Sequence, residues 1–218
     1  MMKRNNFPFS AVLGLNHAKT AILIVLVNPR AGGLLISGPR GIGKSTLMRS
    51  TQELIERPWR DIPVSVTEDR LFGTIDTEKA IYSGQKKLYP GIINEADQGV
   101  LYLDDANLLR EDLLDFILNI AEVGAYQLER DGLSLRCDTS FTVIAAINPE
   151  SGMLSGACLD QFGLFVNVDN IHDENTRVEI LKRTISFEKD CASFCKLWKL
   201  ENEKIKKAIH SAMSLLPK

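Results

Sequence analysis

The nine residues GPRGIGKST, at positions 38–46, decide the fold of this 218-residue chain. They follow a short apolar run bounded by glycines, GGLLISG (32–38), and they precede a segment with a helical pattern. The spacing G-x-x-x-x-G-K-S is that of the P-loop, in which main-chain NH groups surround a phosphate and the next helix points its positive end at it. The stretch therefore predicts a phosphate-binding loop between a buried strand and a helix.

Two side chains of this loop are suited to bind a nucleotide and its metal. Lys44 is expected to reach the β- and γ-phosphates, and the hydroxyl of Ser45 is expected to ligate Mg²⁺. The predicted cofactors are ATP and Mg²⁺. The predicted nucleotide-binding residues are Gly38, Pro39, Arg40, Gly41, Ile42, Gly43, Lys44, Ser45 and Thr46.

Acidic residues end the next predicted buried strand, GVLYLDD (99–105). Asp104 would lie beside the Mg²⁺, and Asp105 would orient or polarise the attacking water. By itself, an apolar run followed by two acids is as often a solvated strand end. It becomes a strong signal because it follows the P-loop lysine by sixty residues.

A polar amide, Asn148, ends a third buried run, SFTVIAAIN (140–148), directly before Pro149. It could hydrogen-bond the nucleophilic water or the γ-phosphate, which would place it with Lys44 and Asp105 among the catalytic residues. An amide that caps a turn before proline is an equally good interpretation on local grounds.

The composition is that of an ordinary globular protein, with a formal net charge of −2 and 44% hydrophobic residues. A charge so near zero gives no support for a nucleic-acid partner. The most apolar run, 21–27, is far too short to span a bilayer, and no apolar core with a cleavage site follows the N-terminus. The four cysteines form no C-x-x-C pair, which indicates a reducing compartment. We therefore expect a cytoplasmic protein without a membrane span.

Buried apolar runs alternate with helical patterns, which predicts an α/β fold: a three-layer α/β/α P-loop NTPase with a parallel central sheet. A β-hairpin insert that turns on Asp131-Gly132 is expected at 125–137, and short strands with turns are expected at 67–91. The other expected strands are 32–38, 62–66, 99–105, 140–148 and 164–168, and the expected helices are 11–29, 44–56, 108–124 and the chain from 174 onward.

Beyond these motifs, the chain resembles the ATPase subunit of magnesium chelatase, or a relative in the same chelatase and MoxR-like branch of the AAA+ proteins. The resemblance covers about residues 7–187, and its segments occur in family order. They are FPFSAVLGLNHAKTAIL, GGLLISGPRGIGKST, TEDRLFGTIDTEKAI, YPGIINEADQGVLYLDDANLL, GAYQLERDGLSLR, FTVIAAINPESG and LDQFGLFVNV.

This resemblance implies an oligomeric AAA+ ring, made of one or several kinds of subunit. The ring would work with a second AAA+ chelatase subunit and a large porphyrin-binding subunit to insert Mg²⁺ into protoporphyrin IX, in tetrapyrrole and chlorophyll biosynthesis. It implies that Asp104 is the Walker B acid, Asn148 the sensor 1 residue, and 67–91 a helix 2 insert. The AAA+ core would comprise 1–187, and 188–218 would be an incomplete helical lid.

Three features depart from the family pattern. Asp105 stands where the family has glutamate, so its carboxylate falls about one ångström short, which slows a mechanism that depends on positioning. Ser155 and Gln161, in MLSGACLDQFG, stand where relatives carry arginines that reach a neighbouring nucleotide. An arginine finger contributes about 10³ to 10⁵ in rate. The chain ends before the lid and its sensor 2 arginine would be complete. Arginines that could compensate by residue type alone are Arg130, Arg136 and Arg177.

Three functions remain open at this point. The first is a chelatase motor subunit that hydrolyses ATP. The second is a ring subunit that binds nucleotide but hydrolyses it poorly, with a regulatory or structural role, and the missing arginines and lid favour it. The third is a MoxR-like chaperone ATPase, against which the segment TEDRLFGTID argues in favour of the chelatase group.

Overall fold

The computed structural model describes residues 6–75, 88–130 and 133–216, and the fold follows the expected alternation of strands and helices. The strands are β1 (Leu34–Ser37), β2 (Trp59–Ile62), β3 (Gly73–Ile75), β4 (Leu88–Pro90), β5 (Val100–Leu103), β6 (Ala125–Arg130), β7 (Leu133–Asp138), β8 (Thr142–Ile147) and β9 (Leu164–Asn167). The α-helices of this part of the chain are α1 (Asn16–Val27), α2 (Lys44–Ser50), α3 (Glu68–Phe72), α4 (Ile92–Glu95), α5 (Glu111–Val123), α6 (Gly156–Asp160), α7 (Glu174–Lys189) and α8 (Cys191–Leu215).

The central sheet holds its strands in the order β2-β5-β8-β1-β9, and every pairing is parallel. Parallel strands need helical crossovers, which cover both faces of the sheet, and each of β1, β5 and β8 is buried along its whole length. The predicted three-layer α/β/α class is confirmed. The carboxyl ends of β1, β5 and β8 meet at one edge, where the motif residues follow them.

Two apolar cores lie on opposite faces of the sheet because successive strand side chains alternate. On one face Leu101 and Leu103 of β5 pack against α5, which contributes Leu113, Leu114 and Ile117. On the other face Val100 and Tyr102 pack with residues of α1 and α2, such as Ile22, Leu47 and Met48. The P-loop helix α2 has only seven residues, so its position depends on the burial of side chains such as Leu47 and Met48 and not on the stability of the helix by itself.

Some element boundaries differ from those expected. The second strand is β2 at 59–62 rather than 62–66, and Pro63 directly follows it. Helix α1 starts at Asn16 because Leu15 takes a left-handed backbone conformation with φ of 53°. Helix α2 ends at Ser50 and continues as a 3-10 turn to Leu54.

The two predicted inserts contain paired strands where the structure describes them, although 68–72 of the first insert forms a helix rather than a strand. In 67–91, α3 comes first, and then β3 pairs antiparallel with β4, while 76–87 lies outside the described residues. Strands β6 and β7 form the predicted antiparallel hairpin, and its turn at Asp131-Gly132 lies outside the described residues as well.

The helical C-terminal pattern forms α7 and α8, which return to the N-terminal segment. Phe7 packs against Phe187 of α7 and Phe194 of α8, with ring centroids 5.1 and 5.2 Å away. Ile209 of α8 is buried in the same core as α1 and α2. Across 6–75, 88–130 and 133–216, no helix is both long enough and apolar enough to cross a membrane.

The close approach of two main-chain segments at Gly163 yields a stability prediction. A Cβ at Gly163 would lie 1.7 Å from the carbonyl oxygen of Ala31, and the Gly163 NH donates to Gly32 O at 2.8 Å. We expect Gly163→Ala to lower the free energy of unfolding by about 1–3 kcal/mol or more, because β9 is displaced from β1. The matched control is Gly156→Ala, whose Cβ would meet nothing within 4 Å. Equal urea midpoints for the two variants would contradict this packing.

Candidate nucleotide site

The P-loop lies at the carboxyl edge of the sheet, between the strand ends that carry the predicted acids and amide. Ser37 at the end of β1 pairs with Ile147 of β8, and the Gly38 NH donates to Ile147 O at 3.2 Å. Asn148 follows Ile147, and Asp104 follows β5 on the far side of β8. Ligands of open parallel sheets bind beyond this edge.

Backbone geometry explains why glycines are required at two positions of the loop. Gly43 precedes α2 with φ of 93°, a left-handed conformation that strains other residues. Gly38 is closely packed, because a Cβ there would lie 2.4 Å from Val168 O. Gly43 thus supplies the backbone conformation with which α2 begins, and the missing Cβ of Gly38 permits the close approach to Val168.

The side chain of Lys44 is folded beneath the loop, and the residue is only 7% exposed. Its Nζ donates to the carbonyl oxygens of Gly38 at 2.6 Å and Pro39 at 2.8 Å. Burial lowers the pKa of Lys44, while the charges of Asp105 and Asp104 act in the opposite direction. The loop thus holds a buried cation at the place where phosphate oxygens are expected.

Two oxygen atoms that could ligate a metal, one from α2 and one from the residue after β5, are hydrogen-bonded to each other. Ser45 Oγ donates to Asp104 Oδ1 at 3.1 Å, although the two residues are 59 positions apart in sequence. A hydroxyl and a carboxylate are ligands that suit Mg²⁺, which completes its shell with waters and phosphate oxygens. The donor set therefore fits the predicted metal. A cavity of about 240 Å³ opens beside them, lined by Arg40, Gly41, Gly43, Lys44, Ser45, Thr46, Asp104 and Asp105.

Asp105 lines the same cavity in an unusual backbone conformation. Its φ of 50° and ψ of 49° are left-handed, a region that aspartate enters more readily than most residues. Asp105 Oδ2 lies 3.9 Å from Arg40 Nη2 of the P-loop. The carboxylate thus faces the loop, as a water-orienting residue would, although its catalytic role remains a prediction.

Asn148 is 2% exposed and uses its side chain within its own turn. Its Oδ1 accepts from the Glu150 NH at 3.2 Å, and one hydrogen of its Nδ2 is donated to Ser151 Oγ at 3.3 Å. These contacts correspond to the capping interpretation of the sequence. A contact with a γ-phosphate stays a prediction, for which the second hydrogen of Nδ2 would serve.

Sequence reasoning missed Asn107, which connects the two predicted catalytic strand ends. Its Nδ2 donates to Asn148 O at 3.1 Å and to Gly152 O at 2.9 Å. Its Oδ1 is buried and has no hydrogen-bond partner in the described residues. The only signal in the sequence is an amide shortly after the paired acids, which is too common to be informative.

A second cavity, of about 750 Å³, adjoins the loop, and it was also missed. Its volume is in the range of small-molecule pockets. Three segments that are far apart in sequence form it, so no local pattern could predict it. Its lining includes Phe7, Val12, Gly41, Gly43, Thr46, Ile171, Arg177, Ile180 and Arg183.

Arg183 is fixed in the wall of this second cavity by contacts to three elements. Its Nη1 donates to Ala11 O at 2.9 Å, its Nε bonds Glu179 at 2.9 Å, and its guanidinium lies 4.5 Å from the ring centroid of Trp198. The N-terminal segment, α7 and α8 are thereby joined by one side chain.

The structure separates the three arginines that were named by residue type. Arg177, near the start of α7, lines the second cavity together with P-loop residues. Arg136 pairs with Asp138 at 3.0 Å in the exposed hairpin. The side chain of Arg130 lies outside the described part. Arg177 is therefore the one whose placement beside the loop is established.

Ser155 and Gln161, the substitutes for the family arginines, bond within their own helix. Ser155 Oγ caps α6 by accepting from the Cys158 NH at 3.4 Å, and Gln161 Nε2 donates to Ala157 O at 3.4 Å. Neither side chain carries the charge of an arginine. At both positions, where the resemblance leads us to expect arginine, the side chain is therefore uncharged and engaged within its own helix.

Comparison with known proteins agrees with this geometry. Residues 33–161 match the family model of the AAA domain, dynein-related subfamily. Fold and site together define a P-loop protein of the AAA class. The magnesium-chelatase 38 kDa subunit of Rhodobacter capsulatus is 35% identical over 97% of this chain and 70% of its own length. The ChlI subunit of Synechocystis is 32% identical, over 99% of this chain and 71% of its own length.

Structural comparison gives the same result. A structure of the complex between subunits BchI and BchD of magnesium chelatase, based on single-particle cryo-EM, matches with a TM-score of 0.72 and 35% identity. The match covers 98% of this chain and 77% of the other. The chain belongs to the family of magnesium-chelatase ATPase subunits, and the resemblance inferred from its motifs is confirmed.

The bridging role of Asn107 can be tested by substitution. We expect Asn107→Ala to lower the free energy of unfolding by about 1 kcal/mol, because two carbonyl oxygens lose their donor. Urea denaturation measures the change. Asn119→Ala, at an exposed position of α5, is the control and should stay within about 0.5 kcal/mol of the wild type. Two variants of equal stability would show that the bridge contributes nothing.

Proposed function

We propose that this chain is an Mg²⁺-ATP-binding AAA+ ring subunit of a magnesium-chelatase-like complex. The contact between Ser45 Oγ and Asp104 Oδ1 at 3.1 Å, beside the buried Nζ of Lys44, carries the proposal. It brings two ligands for a metal and one cation for phosphate to one point of the sheet edge. The family to which the chain belongs supports the choice of chelatase over other AAA+ systems.

In this proposal, the phosphates and the nucleoside of the nucleotide occupy the two adjoining cavities. The triphosphate would occupy the smaller cavity, where Lys44 exchanges the carbonyl oxygens of Gly38 and Pro39 for phosphate oxygens. Ser45 and Asp104 would hold Mg²⁺, which, when bound, neutralises phosphate charge and orients the γ-phosphate. The nucleoside would enter the larger cavity, which shares Gly41, Gly43 and Thr46 with the smaller one. Arg177, in the lining of the larger cavity, would contact polar groups of the nucleoside.

Hydrolysis requires groups that this chain supplies only in part. Asp105 would orient the attacking water, with Asn148 as the polar group at the neighbouring strand end. The carboxylate of Asp105 is one methylene shorter than that of the family glutamate, and Arg40 lies 3.9 Å from it. In a ring, each site would also need an arginine from the adjacent subunit, because transition-state charge develops on the γ-phosphate.

A second candidate is favoured by the helix that carries Ser155 and Gln161. Both residues are engaged in neutral hydrogen bonds of that helix, so a copy of this chain has no cation there for its neighbour. The chain would then bind nucleotide and act as a regulatory or structural ring member. Full turnover would require a different subunit that supplies the arginine.

The remaining partners follow from the family and are part of the proposal. The related structure is a complex of BchI with BchD, which supports a ring with a second AAA+ subunit. A large porphyrin-binding subunit would bind protoporphyrin IX and receive the metal. Within this chain, we propose an AAA+ core at 1–187 and a helical segment at 188–218, of which α8 packs on the core through Phe194 and Ile209.

Nucleotide binding is the direct test of the proposal. We expect calorimetry to detect association of Mg²⁺-ATP with the purified chain and to detect none with Lys44→Ala, because the buried cation for the phosphates is lost. Lys207→Ala, on the exposed side of α8, is the control and should bind like the wild type. Absence of binding to the wild-type chain would contradict the proposed function.

ATP turnover separates the two candidates. We expect slow turnover by the unmixed chain and an increase of about 10²-fold or more with Gln161→Arg, because the neighbour's site regains a cation. Gln161→Leu is the matched control and should leave turnover unchanged. Steady-state phosphate release, with and without the related Rhodobacter capsulatus subunit, is the measurement. Rapid turnover by the unmixed wild-type chain would contradict the hydrolysis-impaired candidate.

A further inference from the structure

Tyr102 lies on β5, two residues before Asp104, beneath the site described above. Successive strand side chains alternate, so Tyr102 and Asp104 are directed to the same face of the sheet. That face is the one covered by α2, the helix that carries Ser45. The ring of Tyr102 belongs to the core there and lies 5.9 Å from Trp59 between centroids. Its packing fixes the ring under the metal ligands.

The hydroxyl of Tyr102 has no hydrogen-bond partner in the described residues, although the residue is only 1% exposed. Buried hydroxyls without partners are rare, because desolvation is not compensated. The Ser45 hydroxyl and the Asp104 carboxylate lie near enough to interact with this hydroxyl, but the one hydrogen bond of good geometry among the three groups joins Ser45 to Asp104 at 3.1 Å. A phenolic hydroxyl is protonated at neutral pH, so this group can both donate and accept a hydrogen bond.

We propose that Tyr102 is a positioning residue for the metal held by Ser45 and Asp104, and that its hydroxyl gains its missing hydrogen bond when Mg²⁺-nucleotide is bound. The inference rests on the proposed function. Mg²⁺ retains several waters in such sites, and these waters need acceptors. Groups that bond to metal ligands or to their waters orient them, and their loss weakens metal binding.

The absence of a well-aligned partner for this hydroxyl among the described residues distinguishes this role from a structural one. A phenylalanine would fill the same core and would bring no unpaired hydroxyl into it. The contrast within the chain is Tyr126, whose hydroxyl has two acceptor oxygens within hydrogen-bond distance of its hydrogen. It lies 2.8 Å from Phe72 O and 2.7 Å from Asn94 Oδ1. The hydroxyl of Tyr126 therefore stabilises the fold, whereas that of Tyr102 serves the bound state.

Two measurements on Tyr102→Phe test the inference, with Tyr126→Phe as the matched control. The first is the Mg²⁺ concentration for half-maximal binding of a fluorescent ATP analogue, together with the affinity of that analogue in EDTA. The second is the melting temperature without nucleotide. We expect Tyr102→Phe to raise the Mg²⁺ requirement about 3- to 10-fold, the worth of one hydrogen bond, with unchanged affinity in EDTA. Its melting temperature should equal or exceed that of the wild type.

Tyr126→Phe should show the opposite pattern: a lower melting temperature and an unchanged Mg²⁺ requirement. An unchanged Mg²⁺ requirement in Tyr102→Phe would overturn the inference while leaving the proposed function intact. A loss of affinity that is equal with Mg²⁺ and in EDTA would also overturn it, because the hydroxyl would then act on the fold or the nucleotide alone. A wild-type chain that binds no analogue would overturn the proposed function, and this inference with it.

Discussion

The buried ammonium group of Lys44 is the constraint on which the site depends. Its charge is compensated by two loop carbonyl oxygens and by the nearby carboxylates of Asp104 and Asp105. Removing a charge from water is costly unless such partners are present. These contacts hold the loop, the start of α2 and the end of β5 in one arrangement, so a bound nucleotide would have little further ordering to impose.

Much of this could be predicted from the sequence, because it follows from local pattern. Glycine spacing and the apolar runs located the P-loop, the strands that precede Asp104 and Asn148, and the three-layer fold. The sequence prediction placed β2 at IPVSV (62–66) because that stretch has a stronger β-pattern than WRDI (59–62). In the fold, the pairing of 59–62 with β5 outweighs this local preference. The prediction began α1 too early because leucine is not a residue type that indicates the left-handed backbone conformation found at Leu15.

Other features could not be predicted, since they arise only when distant segments meet. The second cavity joins the N-terminal segment, the loop and α7, so no residue spacing encodes it. Asn107 and Tyr102 have ordinary side chains whose importance depends on what they contact. Arg136 and Arg177 were equivalent by type, and only the fold distinguishes an arginine in a hairpin from one beside the loop.

The threefold attachment of Arg183 has a mechanical consequence. The guanidinium group of Arg183 contacts the carbonyl oxygen of Ala11, a carboxylate on its own helix α7 and the ring of Trp198 on α8. Separation of the N-terminal segment, α7 and α8 would therefore break at least one of these contacts. Because α8 has 25 residues and is about 37 Å long, Arg183 connects the wall of the second cavity to the longest helix in the described part of the chain.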